Sequence, residues 1–287
     1  MPFQIVVDSC CDLTPEMRGS GLYHNVPLTI YVGESAFRDD MALDTQDLVD
    51  AMAMCQEASH TACPAPADYL SMFERCDGDL YVVTLSALLS GSHNSAWQAS
   101  RLFLEEHPER NIHVFNSCSA SSGETLIAAK IAQLAGAGLP FAEVVETVDR
   151  YITEMNTLFV LENLDNLKKA GRLTRVQSLV GSEMCIRDST GALRVKLVMG
   201  STPEGEICKH GQALSIKQAL NKLVSIMSSD DNHRGKTLCI SHCLCRDRAE
   251  HLAMLAKKSC DFSNVLITDT RGISSFYANQ GGIIAAY

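Results

Sequence analysis

The chain repeats one local pattern: a short apolar run, a loop of small residues, then an amphipathic helix. Residues 3–8, Phe-Gln-Ile-Val-Val-Asp, read as a buried strand that ends in a turn at Asp8-Ser9. A second strand is predicted at 26–32. Thr45 stands where a helix cap is expected, ahead of a stripe made by Leu48, Val49, Met52 and Met54. After the Pro-containing stretch 61–66, a helix carries Tyr69, Leu70 and Phe73. The strand predicted at 80–85 runs into a Ser/Gly loop, 86–92. Helix 93–106 follows, with Trp97, Leu102 and Phe103 expected inward. A strand at 112–115 leads to a second Ser/Gly loop, 116–123, and to a helix ending near Gly136 and Gly138. Helix 141–155 closes this half.

Buried strands alternating with helices predict an open, mostly parallel α/β sheet for an N-terminal domain, 1–156. Strands near 157–161, 193–199, 236–242 and 263–268, with helices near 211–228 and 246–258, follow a less regular order. They predict a C-terminal α+β domain, 157–287. A length of 287 residues suits two such cores better than one.

Composition narrows the function classes. Apolar residues make up 46%, enough for packed cores, and no apolar run approaches the roughly 18 residues that span a bilayer. The N-terminus reads as a strand and has no signal-peptide pattern, so a cytoplasmic protein is expected. A formal charge of −10, from 24 basic against 34 acidic residues, argues against nucleic acid as a partner. The twelve cysteines include no C-x-x-C pair. His242-Cys243-Leu-Cys245 lacks a second ligand pair, so no metal is expected.

Several familiar motifs fail. Gly235-Lys236-Thr237 imitates the end of a phosphate-binding loop, but position 230 is Asp and a strand follows. G-x-G-x-x-G after the first strand, G-x-S-x-G and H-E-x-x-H are all missing. What remains is a set of three loops at strand carboxyl ends: Asp8 to Leu13, Leu88 to His93 and Asn116 to Gly123. All are rich in hydroxyls and small residues. Ser90-Gly91-Ser92 precedes a helix, where hydroxyls and free N–H groups make an anion site and Gly91 permits close approach. The same serines serve equally well as helix caps.

At these residues the chain resembles the DegV family of bacterial fatty-acid-binding proteins. The matching pieces are Asp8-Ser-Cys-Cys-Asp-Leu13, Thr61-Ala-Cys-Pro-Ala-Pro66, Leu89-Ser-Gly-Ser-His-Asn-Ser-Ala96, Asn116-Ser117 with Ser121-Ser122-Gly123, and Leu161 through Gly171-Arg172-Leu173. They span both halves in order. The resemblance implies a long-chain fatty acid held between the two domains, with its carboxylate on Thr61 and Ser90, and no cofactor. It also implies presentation of that carboxylate to a separate fatty acid kinase, which makes an acyl-phosphate for phospholipid synthesis. The chain would then be a binding subunit and not an enzyme.

Departures from the family pattern mark further expectations. Ala62 stands where Ser or Thr is usual, and Asn116 where Asp is usual. Tyr277 aligns with a family His, so its phenol joins Thr61, Ser90, Gly91 and Ser92 as a candidate carboxylate contact. His210 stands where the family often has Arg; His210 and Arg172 are candidate contacts for a partner or phosphate. Residues 181–189 fit no apolar period, resemble a translated adapter sequence, and when omitted restore family register. They are read as a foreign or inserted segment without function. Two alternatives remain: a serine-dependent acyl hydrolase or transferase using Ser90 with His93, and a regulatory protein that senses acyl chains.

Overall fold

The computed structural model describes residues 2–173 and 195–287. The segment 181–189 and the first residues of the strand expected at 193–199 lie outside them. The first half contributes strands β1 (Phe3–Asp8), β2 (Tyr23–Val26), β3 (Thr29–Val32), β4 (Ser35–Arg38), β5 (His60–Ala62), β6 (Asp79–Thr84) and β7 (Ile112–Asn116). Helices α1 (Pro15–Gly19), α2 (Thr45–Met54), α3 (Pro66–Phe73), α4 (Ser92–Glu106), α5 (Ser122–Gly136) and α6 (Phe141–Thr153) connect them. Four strands form an open parallel sheet in the order β2-β1-β6-β7, as the alternation predicts. Helices cover both faces. Val6 of β1 packs with Tyr69, Phe73 and Phe103 on one side, while Ile5 and Val7 pack with Ile127, Val144 and Val148 on the other. That two-sided burial is why the strand reads as a continuous apolar run.

The strand expected at 26–32 is two strands. Pro27 has no N–H for a ladder, and the chain leaves the parallel sheet there to build a small antiparallel sheet, β4-β3-β5. Asp44, not Thr45, caps α2: its carboxylate accepts from the backbone N–H groups of Gln46 (2.7 Å) and Asp47 (3.2 Å). Met54 at the end of that helix is 84% exposed. In α4 the inward stripe is Ala96, Ala99 and Phe103, whose small residues let α3 lie close. Trp97 and Leu102 fall on other faces of the helix and are about half exposed (53% and 48%).

The second half adds β8 (Thr157–Val160), α7 (Asp165–Lys169), β9 (Lys196–Ser201), β10 (Ile207–Ala213), α8 (Ile216–Ser229), β11 (Thr237–His242), α9 (Arg246–Ser259), β12 (Asn264–Asp269), α10 (Gly272–Ala278) and β13 (Ile283–Ala286). Its six-stranded sheet runs β10-β9-β8-β13-β11-β12. Only β11 and β12 are parallel, joined by α9 as a crossover. The helix expected from 211 begins at Ile216, capped by Ser215, because residues 207–213 pair as an edge strand with β9. α7, β10, β13 and α10 have no counterpart among the sequence expectations.

Several features join the halves. Leu126 of α5 packs against Cys239 and Ala286 of the six-stranded sheet. The β9–β10 turn reaches back to the first half, where Ser86 Oγ donates to the Gly205 carbonyl at 2.8 Å. Gly205 has φ +89° and sits so close to Ser86 and Cys118 that no side chain fits. The N-terminus of α10 is held by Asp39, whose carboxylate accepts from Gly272 N (2.9 Å) and Ile273 N (2.8 Å).

Candidate functional site

Strand β8, the loops after β6 and β7 and helix α10 surround one pocket between the two sheets. It contains about 820 Å³ of empty space, counting solvent at its mouth. Its walls are mainly apolar. β8 and the residue after it supply Phe159 and Leu161 by period-two alternation, and Leu85, Leu167, Ile207 and Ile284 complete much of the surface. Among the described residues no aspartate or glutamate lines it.

Four polar side chains gather at one end. Thr61 sits on β5, Ser90 on the loop before α4, Arg172 after α7, and Tyr277 on α10; all four line the pocket. Thr61 Oγ1 and the Tyr277 hydroxyl are hydrogen-bonded at 2.9 Å. The Arg172 guanidinium lies 5.5 Å from the centre of the Tyr277 ring. Its Nε donates to Leu89 O (3.0 Å) and a terminal nitrogen donates to Ala170 O (2.9 Å). Burial pushes the Tyr277 phenol above its ordinary value, partly offset by Thr61 and by the charge of Arg172. The phenol is therefore a proton donor at neutral pH. Ser90 Oγ accepts from Ser92 N at 3.2 Å, which leaves its own proton available.

Other expected site residues fall elsewhere. Ser92 is fully buried away from the pocket; its hydroxyl donates to Asp8 Oδ2 at 2.6 Å and pairs with the Tyr69 hydroxyl at 2.7 Å. Gly91 lines a shallower recess beside the mouth, with Ser90, His93 and Arg172. The close approach it permits is that of Cys63, whose sulfur would lie 3.1 Å from a Cβ at this position. His210 is on β10, outside the pocket lining, with Nε2 3.4 Å from Cys208 Sγ and its ring against Gly200. Burial lowers the proton affinity of His210. His93 Nδ1 pairs with Thr84 Oγ1 at 3.2 Å, and among the described residues no hydrogen bond joins it to Ser90. The base that a Ser90 nucleophile needs is thus engaged elsewhere.

The hydroxyl-rich loops are tied by buried carboxylates. Asp8 accepts from Cys10 N and Leu85 N, both at 3.0 Å, besides Ser92. Asp12 accepts from Ser121 Oγ and from Arg271 N (2.7 Å). Burial raises the Asp12 carboxyl to about 7 and the Asp39 carboxyl to about 6. Glu124, fully buried near Asp8, is raised well above the usual range by burial and by that neighbour. Sequence reasoning missed these anchors, along with Cys10, Ser119 and Thr157 in the pocket wall. The alternation Thr157-Leu-Phe159-Val-Leu161 was the available signal for the wall. No helix among the described residues is long and apolar enough to cross a membrane.

Comparison with known proteins gives matches along the whole chain. Residues 2–286 match the family model described as "Uncharacterised protein, DegV family". A DegV domain-containing protein of Streptococcus gordonii is 35% identical over 290 residues, covering 100% of this chain and 99% of that protein. A crystal structure of a DegV family protein from Ruminococcus gnavus, refined with vaccenic acid, superposes with a TM-score of 0.92 at 44% identity, covering 100% of each chain. The Streptococcus pneumoniae Fatty Acid Kinase (Fak) B3 protein loaded with linoleic acid gives a TM-score of 0.88 at 31% identity, covering 100% of this chain and 99% of that one.

Proposed function

The chain belongs to the DegV family, and from that premise we propose that it binds one long-chain fatty acid in the pocket between its sheets and presents the carboxylate to a separate fatty acid kinase. The observation that carries this reading is the pocket itself: a mainly apolar cavity with no acidic residue among the described residues of its lining, and with the Thr61–Tyr277 hydrogen bond, Ser90 and Arg172 at one end. Transfer of a dozen methylenes from water is worth roughly 10 kcal/mol before ordering costs. Each hydrogen bond to a charged head group adds about 1.5–3 kcal/mol. The tail supplies most of the affinity, and the polar end selects and orients a carboxylate.

The proposed division of labour follows from the same geometry. Three hydroxyls and one guanidinium stabilise an anion, while among the described residues no hydrogen bond joins Ser90 to a base that would make it a nucleophile. Such a site holds a carboxylate for chemistry supplied by a partner. The fatty-acid-bearing relatives, including the protein described as Fak B3, support this reading.

Native mass spectrometry of protein expressed in bacteria tests the first step, with a bound fatty acid expected and lost on delipidation. Identical mass and thermal stability before and after delipidation would overturn it. Acyl-phosphate formation on adding a fatty acid kinase and ATP tests the second; bound fatty acid with no kinase-dependent product favours the acyl-sensing alternative.

A further inference from the structure

One part of the pocket wall does not suit a plain hydrocarbon. Ser119 and Thr157 both line the pocket, 3% and 6% exposed, and their hydroxyl oxygens are 2.6 Å apart. Ser119 follows β7, and Thr157 opens β8. Gly123 makes room for the pair: any Cβ there would collide with the Ser119 side chain. Ser201 lies one register step beyond the Leu158–Gly200 pair, beside Thr157, and also lines the pocket. Its hydroxyl makes no hydrogen bond among the described residues.

The hydroxyl protons of the Ser119–Thr157 pair are not all well placed. One lies within the pair. The other acceptor in reach, Ala120 O, is 3.4 Å from Ser119 Oγ, beyond the usual 2.5–3.0 Å for an O–H donor. A donor and several lone pairs are therefore left for whatever fills the pocket. Against a methylene these groups gain nothing, and the long bond to Ala120 O is one that a ligand oxygen can better.

The position along the pocket sets which part of a ligand they meet. Thr157 and Leu161 are four residues apart in extended chain, about 13 Å at the usual strand rise. Leu161 and Phe159 belong to the apolar cluster against which Tyr277 packs. Among the described residues no hydrogen bond joins the side chains of Ser119, Thr157 or Ser201 to Thr61, Ser90, Arg172 or Tyr277, so the two polar groups are separate parts of the lining.

We propose that this cluster is a subsite for an oxygen substituent on the acyl chain, so that the preferred ligand is a long-chain fatty acid with a hydroxyl or keto group remote from its carboxylate. The proposal rests on the fatty-acid reading above and names the substrate class within it. Ser119 and Thr157 supply one donor and one acceptor to that oxygen, and Ser201 adds a second donor from the facing strand. The carboxylate keeps Thr61, Ser90, Arg172 and Tyr277.

The test measures dissociation constants of the delipidated full chain by displacement of a fluorescent fatty acid. The probes are octadecanoic acid and octadecanoic acids with a single hydroxyl at the second carbon, at mid-chain positions or at the end of the chain. One mid-chain or terminal isomer is expected to bind about three- to tenfold tighter than octadecanoic acid, the range of one neutral hydrogen bond. The second-carbon isomer shows no such gain. In Ser119→Ala/Thr157→Val the gain disappears while octadecanoic acid binds at least as well. Ser201→Ala, which leaves the Ser119–Thr157 pair in place, reduces the gain and guards against a folding defect in the double variant. Binding of octadecanoic acid with no tighter remote-hydroxyl isomer, or a gain that survives the double variant, overturns the proposal. Failure of every fatty acid to bind overturns the fatty-acid reading and this one with it.

Discussion

Replacing Tyr277 separates the head-group reading from a purely apolar one. Tyr277→Phe removes one hydroxyl and keeps the ring on which the Arg172 guanidinium rests. A carboxylate in this end of the pocket loses one donor, and Thr61 loses its 2.9 Å partner. A hydrogen bond to a charged group is worth about 1.5–3 kcal/mol, so the dissociation constant should rise about 10- to 150-fold. Binding should remain measurable, because the tail contributes roughly 10 kcal/mol. Tyr277→His is the sharper variant. The raised phenol of Tyr277 keeps its proton throughout the neutral range, so wild-type affinity gains no pH dependence from this residue. An imidazole, with an ordinary value near 6.5, gains a charge as pH falls and then donates to the carboxylate as a cation. Affinity of Tyr277→His should therefore be higher near pH 5.5 than near pH 8, with wild type measured in parallel to subtract any dependence of its own. The assay is fluorescent fatty-acid displacement across that range. A Tyr277→Phe constant within about twofold of wild type, or a Tyr277→His profile parallel to wild type, would show that the carboxylate does not meet Tyr277.

Other expectations follow from the same framework. Asp12, raised to about 7 in the folded protein, keeps a proton that the unfolded chain has lost above about pH 4. Its contribution is therefore fully present below that pH and is lost as pH rises to about 7; urea unfolding should show Asp12→Asn gaining stability relative to wild type over that window. Gly205→Ala puts a Cβ 2.7 Å from Cys118 Cα at a φ of +89° and should cost about 1–3 kcal/mol in thermal or urea unfolding. Deleting 181–189 should leave soluble yield and thermal stability equal or higher, and a clear loss of folded protein would mark the segment as native structure.

Much of the architecture was legible because burial on both faces leaves continuous apolar runs, as in residues 3–8 and 79–84. The parallel half follows from those runs and the helices between them. β10, with Lys209, His210 and Gln212 among its residues, is an edge strand and carries no comparable signal. The brief β13 lies among glycines and alanines, and its place between β8 and β11 depends on partners far away in sequence. Of the polar end, Thr61, Ser90, Arg172 and Tyr277 were named through the family resemblance; residue spacing alone offered only the serine loop. Ser92 was misplaced because a serine at a helix start serves a ligand or a buried carboxylate with the same sequence. Trp97 was misplaced because helical spacing gives a face only when its partner is known, and here the partner α3 selects Ala96, Ala99 and Phe103.

The hydroxyl-rich loops read as a site for an external anion mostly serve internal ones. Asp8 is held by two backbone N–H groups and Ser92, Asp12 by Ser121 and Arg271, and Asp39 by the start of α10. These carboxylates fasten β1, the two Ser/Gly loops, the small sheet and α10 to one another. Such bonds are directional, and each carboxylate left bare in the interior would be strongly destabilising, so they fix the relative placement of the segments that carry Thr61, Ser90 and Tyr277. They also confine the acids to the scaffold behind the pocket wall. Among the described residues the wall itself is left with Arg172 and no acidic residue, so a ligand carboxylate meets a cation without a competing anion in that lining. The same hydroxyl chemistry thus builds the frame with its own acids and leaves a few donors for the ligand's.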